Sequence, residues 1–329
     1  MKVLILTEGG VEVGFGHITR MLSVYHGFLE RGITPSMVID GDETVSFLLK
    51  NVNYSIYNWH RTGDLIFKDI AKYDVVVVDS YSTDTYFCEK LLENTRLAVF
   101  FDDYNRINYP GGIVVNGAIY AESLNYSSGY GVRYLLGPRY LPLRREFWFV
   151  DEKKISEKVE SILVTLGGSD KASILSEILR LLKSYPDITK FVVVPRSFGS
   201  MEEIVRNSDS NTVLVNSPDA VLMVKLMLNC DIAISAGGQT GYELARVGLP
   251  SILVAVTENQ LLNCLGLERA GCARYAGFWN RDDVCYNIFR FLEELMDYGV
   301  RKNMSDSGRG IIDGLGAIRV VDEIIGALR

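Results

Sequence analysis

Short uninterrupted apolar runs recur along the whole chain, each followed by a turn and a stretch with helical spacing. VLIL at 3–6, PSMVID at 35–40, VVVVD at 75–79, LAVFFD at 97–102 and IVV at 113–115 lie in the first half. ILVTL at 162–166, FVVV at 191–194, TVLV at 212–215, IAIS at 232–235 and SILV at 251–254 lie in the second. Runs of this length without polar alternation are strands buried on both faces, as in a parallel sheet covered by helices. The intervening segments predict helices over 18–31, 85–94, 172–184, 218–229 and 241–247, and helices fill most of the chain after 254. Two successive βαβ series predict an α/β protein of two doubly wound, Rossmann-like domains facing a central cleft.

The length of 329 residues suits two domains of similar size. The stretch DEKKISEKVE at 151–160 has no apolar run and is the expected linker. This places the first domain at 1–150 and the second at 151–329, with the last helix free to pack back on the first domain.

Charge excludes some classes of partner. Lys and Arg total 34 against 41 Asp and Glu, a net charge of −7. A nucleic-acid-binding domain needs a basic surface, and an acidic chain adheres poorly to anionic lipid. VLIL is too short for a secretory core, and no segment reaches the apolar length of a membrane span. The five cysteines form no C-x-x-C pair and the three histidines show no zinc-type spacing. The expectation is a cytoplasmic protein with reduced thiols and no metal or cofactor. No nucleic-acid or stable membrane partner is expected, and the chain should be a monomer or weak dimer.

Four segments sit where ligands bind in such folds, at the carboxyl ends of strands. The first is EGGVEVGFGHITR at 8–20, between the first strand and the first helix. Its glycines, Gly14 and Gly16 among them, let the backbone turn tightly beside a ligand. His17 falls near the helix start, where the positive end of the dipole disfavours imidazolium. A neutral His17 can serve as a general base, or it caps or packs. His26 falls inside the helix and His60 in a polar loop, and both are read as structural. The second segment is SAGGQTGYE at 235–243. Its helix start offers N–H groups to a diphosphate through Gly237, Gly238, Gln239 and Thr240. Glu243 is expected in the first turn, either accepting from ribose hydroxyls or merely complementing the dipole. The third is LGGSD at 166–170, with Gly167, Gly168 and Ser169 at the same level. The fourth is ENQ at 258–260, where Asn259 and Gln260 bond sugar groups or cap a helix. Asp79, Asp102 and Asp103 end strands in the first half and are candidate partners of His17 or of sugar hydroxyls. Arg139, Arg144 and Arg145 meet phosphate or form a solvated face.

These motifs, in this order, resemble the GT-B-like family of UDP-sugar hydrolases of the pseudaminic acid pathway, with which spore-coat polysaccharide proteins of the SpsG type are grouped. The resemblance rests on GFGHITR at 14–20, DSY at 79–81, FDD at 101–103 and GPRYLPLRREF at 137–147. It continues through VTLGGSD at 164–170, SAGGQTGYELARVGLPSILV at 235–254, ENQ at 258–260 and DGLGAIRVV at 313–321. It implies hydrolysis of a UDP-linked 2,4-diacetamido-2,4,6-trideoxyhexose, releasing UDP and the free sugar for surface-polysaccharide or nonulosonic acid synthesis. In that family the His of this first motif, here His17, activates water for inverting attack at the anomeric carbon. The residues matching the UDP loops are Gly167, Gly168, Ser169, Gly237 and Gly238, with Gln239 and Thr240 beside them. Glu243 matches the ribose-binding acid, and Asn259 and Gln260 match the pair facing the sugar. Gly14, Gly16 and Arg20 complete the implied substrate-binding set. The alternatives are an inverting GT-B glycosyltransferase using a UDP-sugar donor and a non-catalytic nucleotide-sugar-binding protein.

Overall fold

The Val-rich runs become parallel strands in a computed structural model that describes residues 1–11, 13–63, 65–127, 131–167, 172–194 and 201–329. The chain divides into two units, one formed by Met1–Arg145 with Gly314–Arg329 and the other by Glu146–Asp313.

The first unit carries strands β1 (Val3–Gly9), β2 (Ser36–Gly41), β3 (Tyr54–Ile56), β4 (Val75–Asp79), β5 (Leu97–Phe101), β6 (Gly112–Asn116) and β7 (Val132–Leu136). Helices α1 (Gly16–Leu29), α2 (Leu65–Ile70) and α3 (Thr85–Asn94) connect them. Among the described residues the sheet order is β3-β2-β1-β4-β5-β6-β7, every pair parallel. The order reverses between β1 and β4, which makes the ends of these two strands the topological switch point. All seven residues of β1 and all five of β4 are buried, as their unbroken apolar runs require.

The second unit carries β8 (Ser161–Thr165), β9 (Thr189–Val194), β10 (Thr212–Asn216), β11 (Ile232–Ala236), β12 (Ser251–Ala255) and β13 (Arg274–Phe278). Its helices are α4 (Ala172–Leu182), α5 (Met201–Asn207), α6 (Ala220–Asn229), α7 (Gln239–Val247), α8 (Leu261–Arg269), α9 (Val284–Leu295) and α10 (Tyr298–Ile311). Among the described residues the order is β10-β9-β8-β11-β12-β13, again parallel throughout. Here the reversal lies between β8 and β11.

The last helix, α11 (Gly316–Ala327), belongs to the first unit. Its Val320, Val321 and Ile324 join Ile18, Met21, Val24 and Phe28 of α1 over Val3 and Ile5. Leu4 and Leu6, pointing the other way, meet Ile66, Phe67 and Ile70 of α2 and Leu91 of α3. The period-two alternation of β1 thus feeds two cores. Each fully buried aliphatic or Phe side chain contributes about 1.5–3 kcal/mol, so α1, which carries His17, is anchored on both β1 and α11.

Three strands go beyond the sequence expectation: β3, β7 and β13. β3 is a three-residue edge strand, and β7 exposes Arg133 on the opposite edge. β13 (RYAGF) opens on an Arg and contains Gly277. None of them shows a continuous apolar run. The charged stretch 151–160, expected as a linker, lies within the second unit and is tied to it. Lys153 is buried, donating to Leu228 O at 2.8 Å and to Cys230 O. Arg301 holds Ser156 O and Glu157 O at 2.7 and 2.9 Å. All five cysteines are free thiols. Among the described residues, no helix is long and apolar enough to cross a membrane.

Candidate active site

The switch point of the first sheet places the end of β1 beside the end of β4. After β1 the chain closes a small turn, with Gly10 and Gly14 exchanging backbone hydrogen bonds of 3.0 and 2.8 Å. Gly14 has φ of +86°, a conformation that glycine adopts without penalty. This turn starts α1 at Gly16, so His17 is its second residue and is buried.

Asp79, the last residue of β4, is fully buried and meets His17. His17 Nδ1 lies 2.7 Å from Asp79 Oδ1. Burial raises the Asp79 carboxyl, but the charges and hydrogen bonds of Arg20 and His17 outweigh it and hold it well below the usual range. Ionised Asp79 only accepts, so Nδ1 carries the proton and Nε2 keeps its lone pair. The sequence expectation that the helix start alone keeps His17 from protonating is corrected. Burial does lower the His17 pKa and Arg20 opposes protonation, but Asp79, with help from Glu8, raises it above 6.5. A full carboxylate charge in contact outweighs the partial charge of a helix end.

The three candidate acids have three different settings. Asp79 takes His17 and also Arg20, through Nε at 2.8 Å and Nη2 at 2.6 Å. Asp103 takes Arg20 Nη1 at 2.6 Å and the Tyr81 hydroxyl at 2.5 Å. Asp102 instead accepts from the Tyr126 hydroxyl at 2.8 Å. Arg20 spends its donors on Asp79 and Asp103, which makes it a clamp between two strand ends. Tyr81 stands edge-on to the His17 ring with centroids 4.5 Å apart. Of the arginines near 139–145, Arg145 pairs with Glu30 at 2.7 Å and Arg139 lies over the Tyr140 ring.

Two residues outside the candidate set drawn from the sequence, Glu8 and Ser80, stand in the same cluster, and His60 joins them. Glu8 Oε1 is 3.9 Å from His17 Nε2 and accepts from Tyr81 N–H at 2.9 Å. Its Oε2 accepts from the Ser80 hydroxyl at 2.6 Å and lies 3.3 Å from His60 Nε2. His60 Nε2 is also 3.2 Å from Ser80 Oγ. His60, read as structural, is therefore a member of this cluster. Trp59 beside it donates from Nε1 to Thr7 O at 2.9 Å, and its ring lies 3.6 Å from the His60 ring. Glu8 and Ser80 carried a usable signal, since both sit at strand ends within segments already singled out. His60 carried none, because it arrives from beyond an edge strand.

In the second unit, Gly237 follows β11 and Gly238 caps α7 with no side-chain hydrogen bond. Gly237 N–H bonds Val254 O at 3.0 Å, and a Cβ on Gly237 would run into Cys264 Sγ. The start of α7, at Gln239 and Thr240, carries the positive end of the helix dipole. Glu243 is buried in α7 but lies past its first turn, which holds no acid; the first-turn placement is corrected. Gln260 accepts from Val256 N–H at 3.1 Å and packs beside Gly238. Asn259 is exposed and bonds the Thr257 hydroxyl. Gly167, with φ of +75°, leaves the end of β8, the strand paired with β11. Gly168 and Ser169 lie outside the described residues. Among the described residues, no group of three or more His, Cys, Asp or Glu is arranged to hold a metal ion.

Three curated relatives align with most of this chain. The spore coat polysaccharide biosynthesis protein SpsG of Bacillus subtilis is 27% identical over 97% of this chain and 96% of its own. The pseudaminic acid cytidylyltransferase and UDP-2,4-diacetamido-2,4,6-trideoxy-beta-L-altropyranose hydrolase of Helicobacter pylori is 23% identical over 82% of this chain. The chain is homologous to both proteins. It is thereby related to proteins that process sugar nucleotides. An uncharacterised protein of Methanocaldococcus jannaschii, MJ1062, is 28% identical over 79% of this chain. The chain spans 57% of that protein's length and 47% of the Helicobacter protein's. A family described as Protein of unknown function (DUF354) matches residues 150–265. Among solved structures, MurG of Acinetobacter baumannii aligns over 99% of this chain and 100% of its own, with a TM-score of 0.70 at 15% identity. The S. aureus MnaA structure with UDP aligns over 100% of this chain and 97% of its own, with a TM-score of 0.67 at 15% identity. The fold is of the GT-B type.

Proposed function

We propose that this chain is a hydrolase of a UDP-linked sugar, releasing UDP and the free sugar, with His17 as general base. The observation that carries this reading is the His17–Asp79 pair. Nδ1–H is held by a buried carboxylate, so the imidazole is fixed in one tautomer with Nε2 free to take a proton. A proton-abstracting group of this kind suits attack by water at the anomeric carbon, with inversion. UDP is a good leaving group, so strong acid assistance is not required. The N–H groups at the start of α7 suit the diphosphate, with Gly237, Gly238, Gln239 and Thr240 supplying the turn. Glu243 is assigned to the ribose, and Asn259 and Gln260 to the sugar. Gly14 and Gly16 shape the loop under the substrate.

The hydrolase activity named for the Helicobacter relative supports a UDP-linked 2,4-diacetamido-2,4,6-trideoxyhexose as the substrate class. The test is UDP release without any acceptor from a panel of such sugars and UDP-GlcNAc, using wild type and His17→Ala. The expected result is release from one substrate and a loss of at least ~10²-fold in the variant. UDP binding without release from any member would turn the search to a transferase acceptor and sink the hydrolase reading.

A further inference from the structure

The cluster around His17 contains a second acceptor aimed at the same place. Glu8 Oε1 lies 3.9 Å from His17 Nε2, the ring nitrogen left open by the bond to Asp79. Both side chains are nearly buried, 8% exposed for Glu8 and 9% for His17, so what reaches them is small. Resting on the hydrolase reading above, we propose that Glu8 is the second acceptor for the attacking water. One O–H is donated to His17 Nε2 and the other to Glu8 Oε1, and this double hold favours water over an alcohol.

The spacing fits one bridging oxygen. Two acceptors each about 2.8 Å from a common water stand about 4.4 Å apart when both O–H bonds point straight at them, and the observed 3.9 Å bends each bond by only about 8°, well inside hydrogen-bond geometry. Glu8 also has the capacity. Each carboxylate oxygen accepts at least two bonds, and on Oε1 Tyr81 N–H takes one. Oε2 is occupied by Ser80 and His60, which stop the carboxylate from rotating away. Ser80 is itself held by the Ser82 N–H at 3.0 Å. Burial pushes Glu8 up, but the bonds from His60, Ser80 and Tyr81, with the charge of His17, bring it down to about 2. It is therefore an anion that only accepts. The titratable and charged groups around the pair are Asp79 and Arg20 facing His17, and His60 facing Glu8, with Asp40 3.9 Å beyond His60.

The step balances with one water and no other reactant. The water oxygen bonds to the anomeric carbon as the bond from that carbon to the diphosphate oxygen breaks, its electron pair leaving with UDP. One water proton moves to His17 Nε2 and passes later to solvent. The other stays on oxygen as the new anomeric hydroxyl, still donated to Glu8. An alcohol has a single O–H. Giving it to Nε2 leaves the buried carboxylate facing a carbon, a cost that a water never meets.

The experiment measures the split between free sugar and methyl glycoside when UDP-sugar is turned over in buffer containing methanol, for wild type and Glu8→Gln. The amide keeps the shape, loses the charge and is able to donate to an alcohol oxygen. Hydrolysis is expected to fall ~10- to 10²-fold, the worth of one hydrogen bond to a charged acceptor. The methyl glycoside share is expected to rise. Should Glu8→Gln fail to fold, Glu8→Asp, which withdraws the carboxylate, is expected to move the split in the same direction. If wild type hydrolyses its substrate and neither variant changes the split, the role of Glu8 is overturned while the hydrolase reading stands. If wild type releases no UDP without an acceptor, both fall.

Discussion

His17 donates from Nδ1 to Asp79 Oδ1 at 2.7 Å, and the same carboxylate receives the Arg20 fork. The pair fixes which ring nitrogen is the base. Replacing Asp79 with Asn removes the charge and allows the amide to donate to Nδ1, which would move the proton to Nε2. Asp79→Asn is expected to lower kcat for UDP release by at least ~10²-fold while UDP still binds. Wild-type turnover in a folded Asp79→Asn protein would show that the tautomer is not set by this pair.

The same contact predicts where activity fails in acid. The His17 pKa is raised above 6.5, so the base is lost to protonation at a pH above that of an ordinary histidine. The acid limb of kcat/KM is expected above 6.5 in wild type, and Asp79→Asn should move it down. A pH profile of UDP release with its acid limb below that value would contradict the geometry.

Most of the fold was legible because its central strands are buried on both faces. β1, β4, β11 and β12 each show a continuous apolar run and each was read from it. The edge strands β3 and β7 were not, since one exposed face leaves no such run. The Gly loops before α1 and α7 and the place of His17 at the start of α1 were also legible, from residue type and spacing. What was not legible is pairing. Asp79, Asp102 and Asp103 look alike in sequence as carboxylates at strand ends, and only the β1–β4 adjacency brings Asp79 to His17. Likewise Lys153 reads as part of a solvated charge run until Leu228 and Cys230 offer it their carbonyls.

Glu8 should register in acid stability. Its folded pKa of about 2 lies below the ordinary 4.5, so it stabilises the folded state at pH values above 4.5. That contribution, about 3 kcal/mol from the difference in pKa, is lost as the pH falls from 4.5 towards 2. Thermal melts over this range are expected to fall less steeply for Glu8→Gln than for wild type. Parallel curves would mean that Glu8 titrates alike in both states.

The start of α7 depends on Gly237 for room, not for backbone conformation. Its φ is not positive, yet a Cβ there would collide with Cys264 Sγ on α8. Gly238, one residue on, meets nothing closer than Gln260 Nε2 at 3.5 Å. Gly237→Ala is therefore expected to destabilise the protein by about 1–3 kcal/mol, the usual cost of overpacking a filled core. Gly238→Ala is expected to cost much less. Adding Cys264→Ala to Gly237→Ala vacates the space that the new methyl needs, so the double variant should be more stable than the sum of the two single changes. Because α7 and α8 both shift in response to the clash, UDP affinity by calorimetry should fall for Gly237→Ala and partly return in the double variant. Additive denaturation energies would show that Cys264 is not what Gly237 makes room for.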